Sequence, residues 1–536
     1  MTDSIRPGCV IESGKRLSES LIWKLQRNFY DQKGVSAWNT GLVPHYITSN
    51  SYIAWSYARL IRGFLTDLER TGQIDPTEPV YVVELGAGAG RFSYHCLTHL
   101  LALNARRHLS APVRYVMTDF TRANMGFWRD HERFQRHYQS GVLDLANFDA
   151  ENPAELVCET SGVTLTAGSV RNPLIVVANY VFDTLVSDAF RIQGGQLLEC
   201  LATLRSDEPA ESGLDDPALL ARLRVEYQHS PADAAYYPDH PHFNQILGTY
   251  RDTLGDTSVV FPTGALRCID HLSAISNGRM LLIAADKAFN HLNELTWHSD
   301  PEPVVHGSFS LTANFDAIGR YVELLGGLAM HTRARQAGLQ VASFALGFEK
   351  EVLDETRLEF TETMDGFGPV DFFTFREGLP PKLTLKQYVD LLALAQWDHR
   401  VFYELSESMY DQVESASEAL KRQLRIAIAR VWELYYPIGD HQDVAFVIGR
   451  FLHRLQQYRE AIEAYEESRR IFSENTMTWF NVGMCHYNLR ELDMAVRCLQ
   501  ESLAMDPSNS YARNWLVRIK AEQTDNAIFS PHRPAR

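Results

Sequence analysis

The chain has 536 residues, with 45% hydrophobic and 22% charged positions, the composition of a globular protein of two or three domains. A formal net charge of −16 argues against sequence-independent nucleic-acid binding, which needs a basic footprint. The longest apolar run, near Leu174–Val186, is too short to span a bilayer and carries Asn179 and Asp183.

Met1–Gly8 is polar and lacks the apolar core of a signal peptide. Seven cysteines lie scattered with no C-x-x-C pair, which indicates neither a disulfide framework nor zinc. A reducing, cytoplasmic setting with no membrane partner is expected. Residues 1–79 read as a helical segment, with apolar positions three and four apart over Leu17–Phe29 and Tyr52–Leu68. Between them, Trp38–Asn50 is a loop rich in aromatic and hydroxyl groups.

From Val80 to residue 377 strands alternate with helices. Strands are predicted at Val80–Leu85, Arg114–Thr118, Gln139–Leu143, Leu174–Ala178, Arg279–Ala285 and Leu339–Leu346. Helices include Arg122–His137, Gly264–Ile275 and Ala317–Leu325. This rhythm predicts an α/β fold, a doubly wound parallel sheet of seven strands. Residues 206–257 interrupt it as an insertion or lid, with a helix at Pro217–Tyr227 and an aromatic cluster at Tyr236–Phe243. His240 and His242 sit there in a proline-rich loop, and no metal is expected.

Residues 378–383 (Gly-Leu-Pro-Pro-Lys-Leu) read as a linker, 384–525 as helical and 526–536 as a tail. Gly449 and Gly483, Ala461 and Ala495, and Ser468 and Ser502 recur at about 34 residues, the tetratricopeptide period. Trp479, Gly483, Ala495 and Pro507 fall on that repeat's signature positions, giving repeats at about 442–473 and 476–509. Such a domain offers a groove for a protein or peptide, or serves assembly, a homodimer included.

The chemistry concentrates at strand ends. The first strand carries Glu84 and breaks into Gly86, Gly88 and Gly90, glycines that let backbone approach a ligand. The dinucleotide pattern G-x-G-x-x-G fails because Arg91 stands at the third glycine. An acid two residues before G-x-G-x-G instead resembles motif I of class I S-adenosylmethionine-dependent methyltransferases. That resemblance implies a Rossmann-like methyltransferase sheet and S-adenosyl-L-methionine as cofactor.

Ligands of a doubly wound sheet bind outside the strands' carboxyl ends. There, Asp119 suits two ribose hydroxyls and Asp144 an adenine amino group; each is also explained as a cap or surface acid. The fourth strand ends Ala178-Asn179-Tyr180-Val181-Phe182-Asp183-Thr184-Leu185. Ala178, Asn179, Phe182, Asp183 and Leu185 resemble the MidA family of methyltransferases, whose stretch reads Ala-Asn-Glu-Phe-Phe-Asp-Ala-Leu. Tyr46-Ile47-Thr48 and Ser310–Asp316 resemble two further MidA stretches, over roughly Val35–Phe348. MidA proteins methylate a protein arginine, and Tyr180 replaces the family's glutamate.

Asp183 is the candidate base, with Asn179 and Tyr180 orienting the acceptor; a helix N-cap is the plainer role for Asp183. The expected function is methyl transfer to a protein or peptide held with help from the repeats. The alternatives are a methyltransferase for small molecules or natural products, with repeats for assembly, and a non-catalytic donor-binding scaffold.

Overall fold

The run Val80–Leu85 (β1), apolar but for Glu84, is buried at every position, as a central strand covered on both faces must be. In the computed structural model, which describes residues 9–107, 110–206, 215–334 and 338–528, six more strands join it. They are β2 (Val113–Asp119), β3 (Leu143–Asn147), β4 (Leu174–Asn179), β5 (Met280–Asp286), β6 (Leu328–His331) and β7 (Gln340–Leu346). Their order is β3-β2-β1-β4-β5-β7-β6, with β7 antiparallel to both its neighbours and the others parallel. This is a doubly wound, Rossmann-like sheet with an antiparallel strand near one edge. The order reverses between β1 and β4, which opens a crevice at their carboxyl ends.

Three local expectations change. The third strand starts four residues late, because Gln139 ends a helix (Glu132–Gln139) and Gly141, at φ 71°, turns the chain before Leu143. The helix expected at Arg122–His137 is two, broken at His131, whose extended backbone and side chain cap the second. Strand β6, four residues at the sheet edge, was too short to show a period.

The insertion is larger than 206–257 and of another kind. Asp188–Gln193, Gln196–Ser206, Leu223–Pro231 and Thr257–Phe261 form an antiparallel sheet with Cys9–Arg16. The predicted helix at Pro217–Tyr227 is a short 3-10 turn, Pro217–Arg222, followed by strand. Leu223, Val225 and Tyr227 alternate with charged residues, a period of two that outweighs helix propensity. The segment 1–79 therefore contributes a strand besides its helices α1 (Leu21–Lys33) and α2 (Ser51–Arg70).

The chain divides into two compact units, Met1–Glu377 and Gly378–Arg536. The second is all α-helical among its described residues, with antiparallel pairs Val444–Arg454/Tyr458–Phe472 and Thr476–Asn488/Leu492–Met505 before a last helix, Ser510–Ile528. The expected tail lies outside the described residues from 529 onward. Gly449 is what lets the first pair close: a Cβ there would stand 2.6 Å from the Tyr465 ring. Gly483 serves the second pair, with Leu499 3.2 Å from where its Cβ would be. Among the described residues no helix is long and apolar enough to cross a membrane.

Candidate active site

The glycine turn is wired to its neighbours through backbone. Ala87 N–H donates to the Thr118 carbonyl (2.9 Å), and the Trp128 indole donates to the Gly88 carbonyl (2.8 Å). Gly86, Gly88 and Gly90 all take positive φ, at 58°, 54° and 79°. At Gly88 a second constraint applies: a Cβ would lie 2.9 Å from the Trp38 ring. Trp38, stacked on Tyr30 of α1 at 5.9 Å, thus covers the turn.

These groups line a cavity of about 180 Å³ at the switch point. Glu84, Gly86, Gly88, Asp119, Asn179, Tyr180 and Asp183 all reach its wall. Gly90 does not; it shapes the turn into α3 (Arg91–Arg107), while Arg91 faces the cavity.

Glu84 is buried, and its Oε2 accepts both the Ser93 hydroxyl (2.5 Å) and the Tyr115 hydroxyl (2.7 Å). Burial pushes its carboxyl up to about 7, against those two donors and with help from Asp119. Asp119 accepts from Thr121 N–H (2.8 Å), Gly88 N–H (3.2 Å) and the Asn124 amide (3.0 Å). A carboxylate has about four acceptor sites, so one remains for a ligand rather than a pair. Asp119 joins the turn to α4 (Arg122–Asp130), whose N-cap residue is Thr121.

Asp144 is not part of this site. It lies inside β3, and its oxygens accept from the Leu145, Thr160 and Ser161 amides at 2.8, 2.8 and 3.1 Å. It organises the 158–161 turn, and Phe120, Phe148 and Asp149 occupy the cavity wall on that side instead. The expectation of an adenine contact is corrected accordingly.

The β4 cluster separates into two jobs. Asn179 spends its amide on the protein: its oxygen accepts the Tyr57 hydroxyl of α2 (2.8 Å), and its nitrogen donates to the Thr48 carbonyl (3.2 Å). It is a positioning residue that moors the N-terminal helices to the sheet. Tyr180 adopts φ 53°, a left-handed conformation that costs a non-glycine residue about 1 kcal/mol or more. Such strain is retained where surroundings over-determine it.

Asp183 caps no helix, because the chain leaves β4 through turns into the strand Asp188–Gln193. Its backbone N–H donates to Asp286 Oδ2 (3.1 Å) at the end of β5, and its own buried Oδ1 has no hydrogen-bond partner. Burial first, and Asp183 second, hold the Asp286 carboxyl well above its usual range. Burial also raises Asp183, while hydrogen bonds from Asp286 and Ser310 favour its ionised form. Both carboxyls of this buried pair are thus held above the usual carboxylate range, Asp286 through its burial and the neighbouring Asp183. Asp286 went unremarked in the sequence, although the strand-end rule that singles out Asp119 applies equally to it. His240 and His242 belong to aromatic packing: His240 stacks on Phe243 at 4.5 Å and His242 meets Tyr321 at 6.3 Å.

The fold and site together define a doubly wound sheet with a ligand crevice, joined to a helical repeat unit. Residues 477–509 match the tetratricopeptide repeat family. The chain is 34% identical over 82 residues to anaphase-promoting complex subunit 3 of Dictyostelium discoideum, a match of 15% of this chain and 8% of that protein's length. Two solved structures from Burkholderia thailandensis resemble the chain, each at 14% identity. One, an uncharacterized COG1565 superfamily protein, has a TM-score of 0.38 over 63% of this chain and 88% of its own. The other, a COG1565 superfamily member and candidate methyl transferase bound to S-adenosyl-homocysteine, has a TM-score of 0.35 over 56% and 78%.

Proposed function

We propose that this chain transfers a methyl group from S-adenosyl-L-methionine to a nucleophilic side chain of a protein or peptide. One observation carries the reading: Asp183, whose buried Oδ1 has no hydrogen-bond partner, stands in the wall of the cavity that the Gly86–Gly90 turn shapes. A buried acceptor with no donor is costly unless a ligand completes it.

The lining fits such a donor. Gly86 and Gly88 present backbone without side chains, Asp119 keeps one acceptor site, and Arg91 at the start of α3 suits a carboxylate. Bound there, the donor supplies a methyl group on a sulfonium for in-line displacement. The chain's residues do the rest. Asp183 accepts the proton that an amine, guanidinium or hydroxyl must lose, and the raised carboxyl of Asp286 lies beside it. Asn179 fixes the wall and Tyr180 presents its ring to the acceptor. A basic acceptor side chain suits this acid pair, so arginine remains within the class despite Tyr180. The tetratricopeptide match supports a role for the helical unit in holding that acceptor.

Two measurements test this. Asp183→Asn should bind the donor normally and lose at least about 100-fold in turnover; full turnover would remove Asp183 as base. Radiolabelled methyl transfer into lysate, with and without residues 378–536, tests the acceptor. Label entering only small molecules, unaffected by the truncation, would overturn the protein-acceptor reading.

A further inference from the structure

Far from the glycine turn in sequence, the second sheet gathers a thiol, an imidazole and a carboxylate. Cys200 and His229 are register partners on the antiparallel strands Gln196–Ser206 and Leu223–Pro231. Directly opposed residues share a face, with Cβ atoms about 5 Å apart. Asp300 arrives from the segment after β5. Its carboxylate lies 3.0 and 3.1 Å from His229 Nε2 and 3.8 Å from Cys200 Sγ. One ligand atom from each of the three residues lies within 4.8 Å of the other two.

We infer that Cys200, His229 and Asp300 form a divalent-cation site of the zinc type, holding the paired strands Gln196–Ser206 and Leu223–Pro231 to the segment after β5. The donor set is the first support: thiolate, imidazole and carboxylate are the ligands zinc takes, and three of them leave a fourth position for water. The spacing is the second. Around a tetrahedral zinc, nitrogen and oxygen ligands stand about 3.3 Å apart, and sulfur and oxygen about 3.6 Å, given the usual bond lengths. The observed separations lie within a few tenths of an ångström of both.

The surroundings add two further supports. Ser258 donates its hydroxyl to Asp300 Oδ1 at 2.7 Å, the kind of outer hydrogen bond that orients a ligating carboxylate. Tyr227, two residues before His229 on its strand, has a buried hydroxyl with no partner, and Asp300 and Glu302 both act on it electrostatically. Burial, Asp300 and Glu199 hold the Cys200 thiol protonated, with Arg191 opposing. Cation binding reverses this: the S–H bond breaks, a sulfur–metal bond forms, and the proton goes to solvent with no change of oxidation state.

Cobalt(II) titration of the chelator-treated full-length protein reads the site directly. One Co²⁺ per chain should bind with a thiolate-to-cobalt charge-transfer band, release about one proton, and give way to Zn²⁺. Cys200→Ser should abolish the band. His229→Ala, a change at an exposed residue, and Asp300→Asn should each weaken binding by at least about tenfold. Zn²⁺ should also raise the unfolding temperature of the native chain and not of His229→Ala. No charge-transfer band, or one that survives Cys200→Ser, overturns the assignment. Should Cys200→Ser not fold, unchanged cobalt affinity in both His229→Ala and Asp300→Asn overturns it instead.

Discussion

Replacing Glu84 with Gln should make the protein more stable while weakening its donor site. In the folded chain the Glu84 carboxyl rises from 4.5 to about 7, with desolvation the largest cause. A carboxyl raised on folding binds its proton more tightly in the native state, so stability falls as pH climbs from the unfolded value to the folded one. At about 1.4 kcal/mol per pH unit, that interval amounts to roughly 3 kcal/mol. Both donors to Glu84, Ser93 and Tyr115, use one oxygen, which the amide oxygen of Gln can replace. Urea unfolding of both proteins at pH 5 and pH 8 isolates this contribution, since Asp119, Asp183 and Asp286 are common to both. The native chain should lose roughly 2.5 kcal/mol more than Glu84→Gln between those pH values, since part of the loss already falls below pH 5. Equal losses in the two proteins would refute the assignment of a buried, proton-binding Glu84.

Asp286→Asn mimics the protonated acid and should keep turnover within about tenfold of native, unlike Asp183→Asn; a radiolabel assay showing equal losses in both would reverse their roles. Gly88→Ala forces a Cβ to 2.9 Å from Trp38 at φ 54°, and calorimetry should show donor affinity reduced at least tenfold with a stability loss of about 1–3 kcal/mol. Gly449→Ala meets the Tyr465 ring at 2.6 Å and should destabilise the helical unit by about 1–3 kcal/mol in thermal unfolding, leaving donor affinity unchanged.

Much of the central sheet is legible because its strands carry strong local signals. Val80–Leu85 and Leu174–Asn179 are each a run of mostly β-branched and aliphatic residues with a polar group at or next to its end, so both are found where predicted to within a residue. The repeat unit is legible through Gly449 and Gly483, whose missing side chains recur at the helix crossings. Most of the second sheet is not, because its strands pair across long separations: Cys9 meets Ser206, and Thr257 meets Ile192. The exception is the hairpin in which Gln193 meets Gln196 across Gly194 and Gly195, a local glycine-turn signal that went unread. Asp144 shows the limit at the site. An acid near a strand end reads alike whether it faces ligand or backbone amides, and a four-residue shift of β3 decides between them. Cys200, His229 and Asp300 were invisible for the same reason, since only tertiary pairing makes neighbours of them.

Calorimetric titration of the native chain with S-adenosyl-L-methionine, with NAD as the control ligand, bears most directly on the account. One donor molecule should bind per chain, Gly88→Ala should weaken that binding, and NAD should not bind. An absence of donor binding, with NAD taken up in its place, would contradict it.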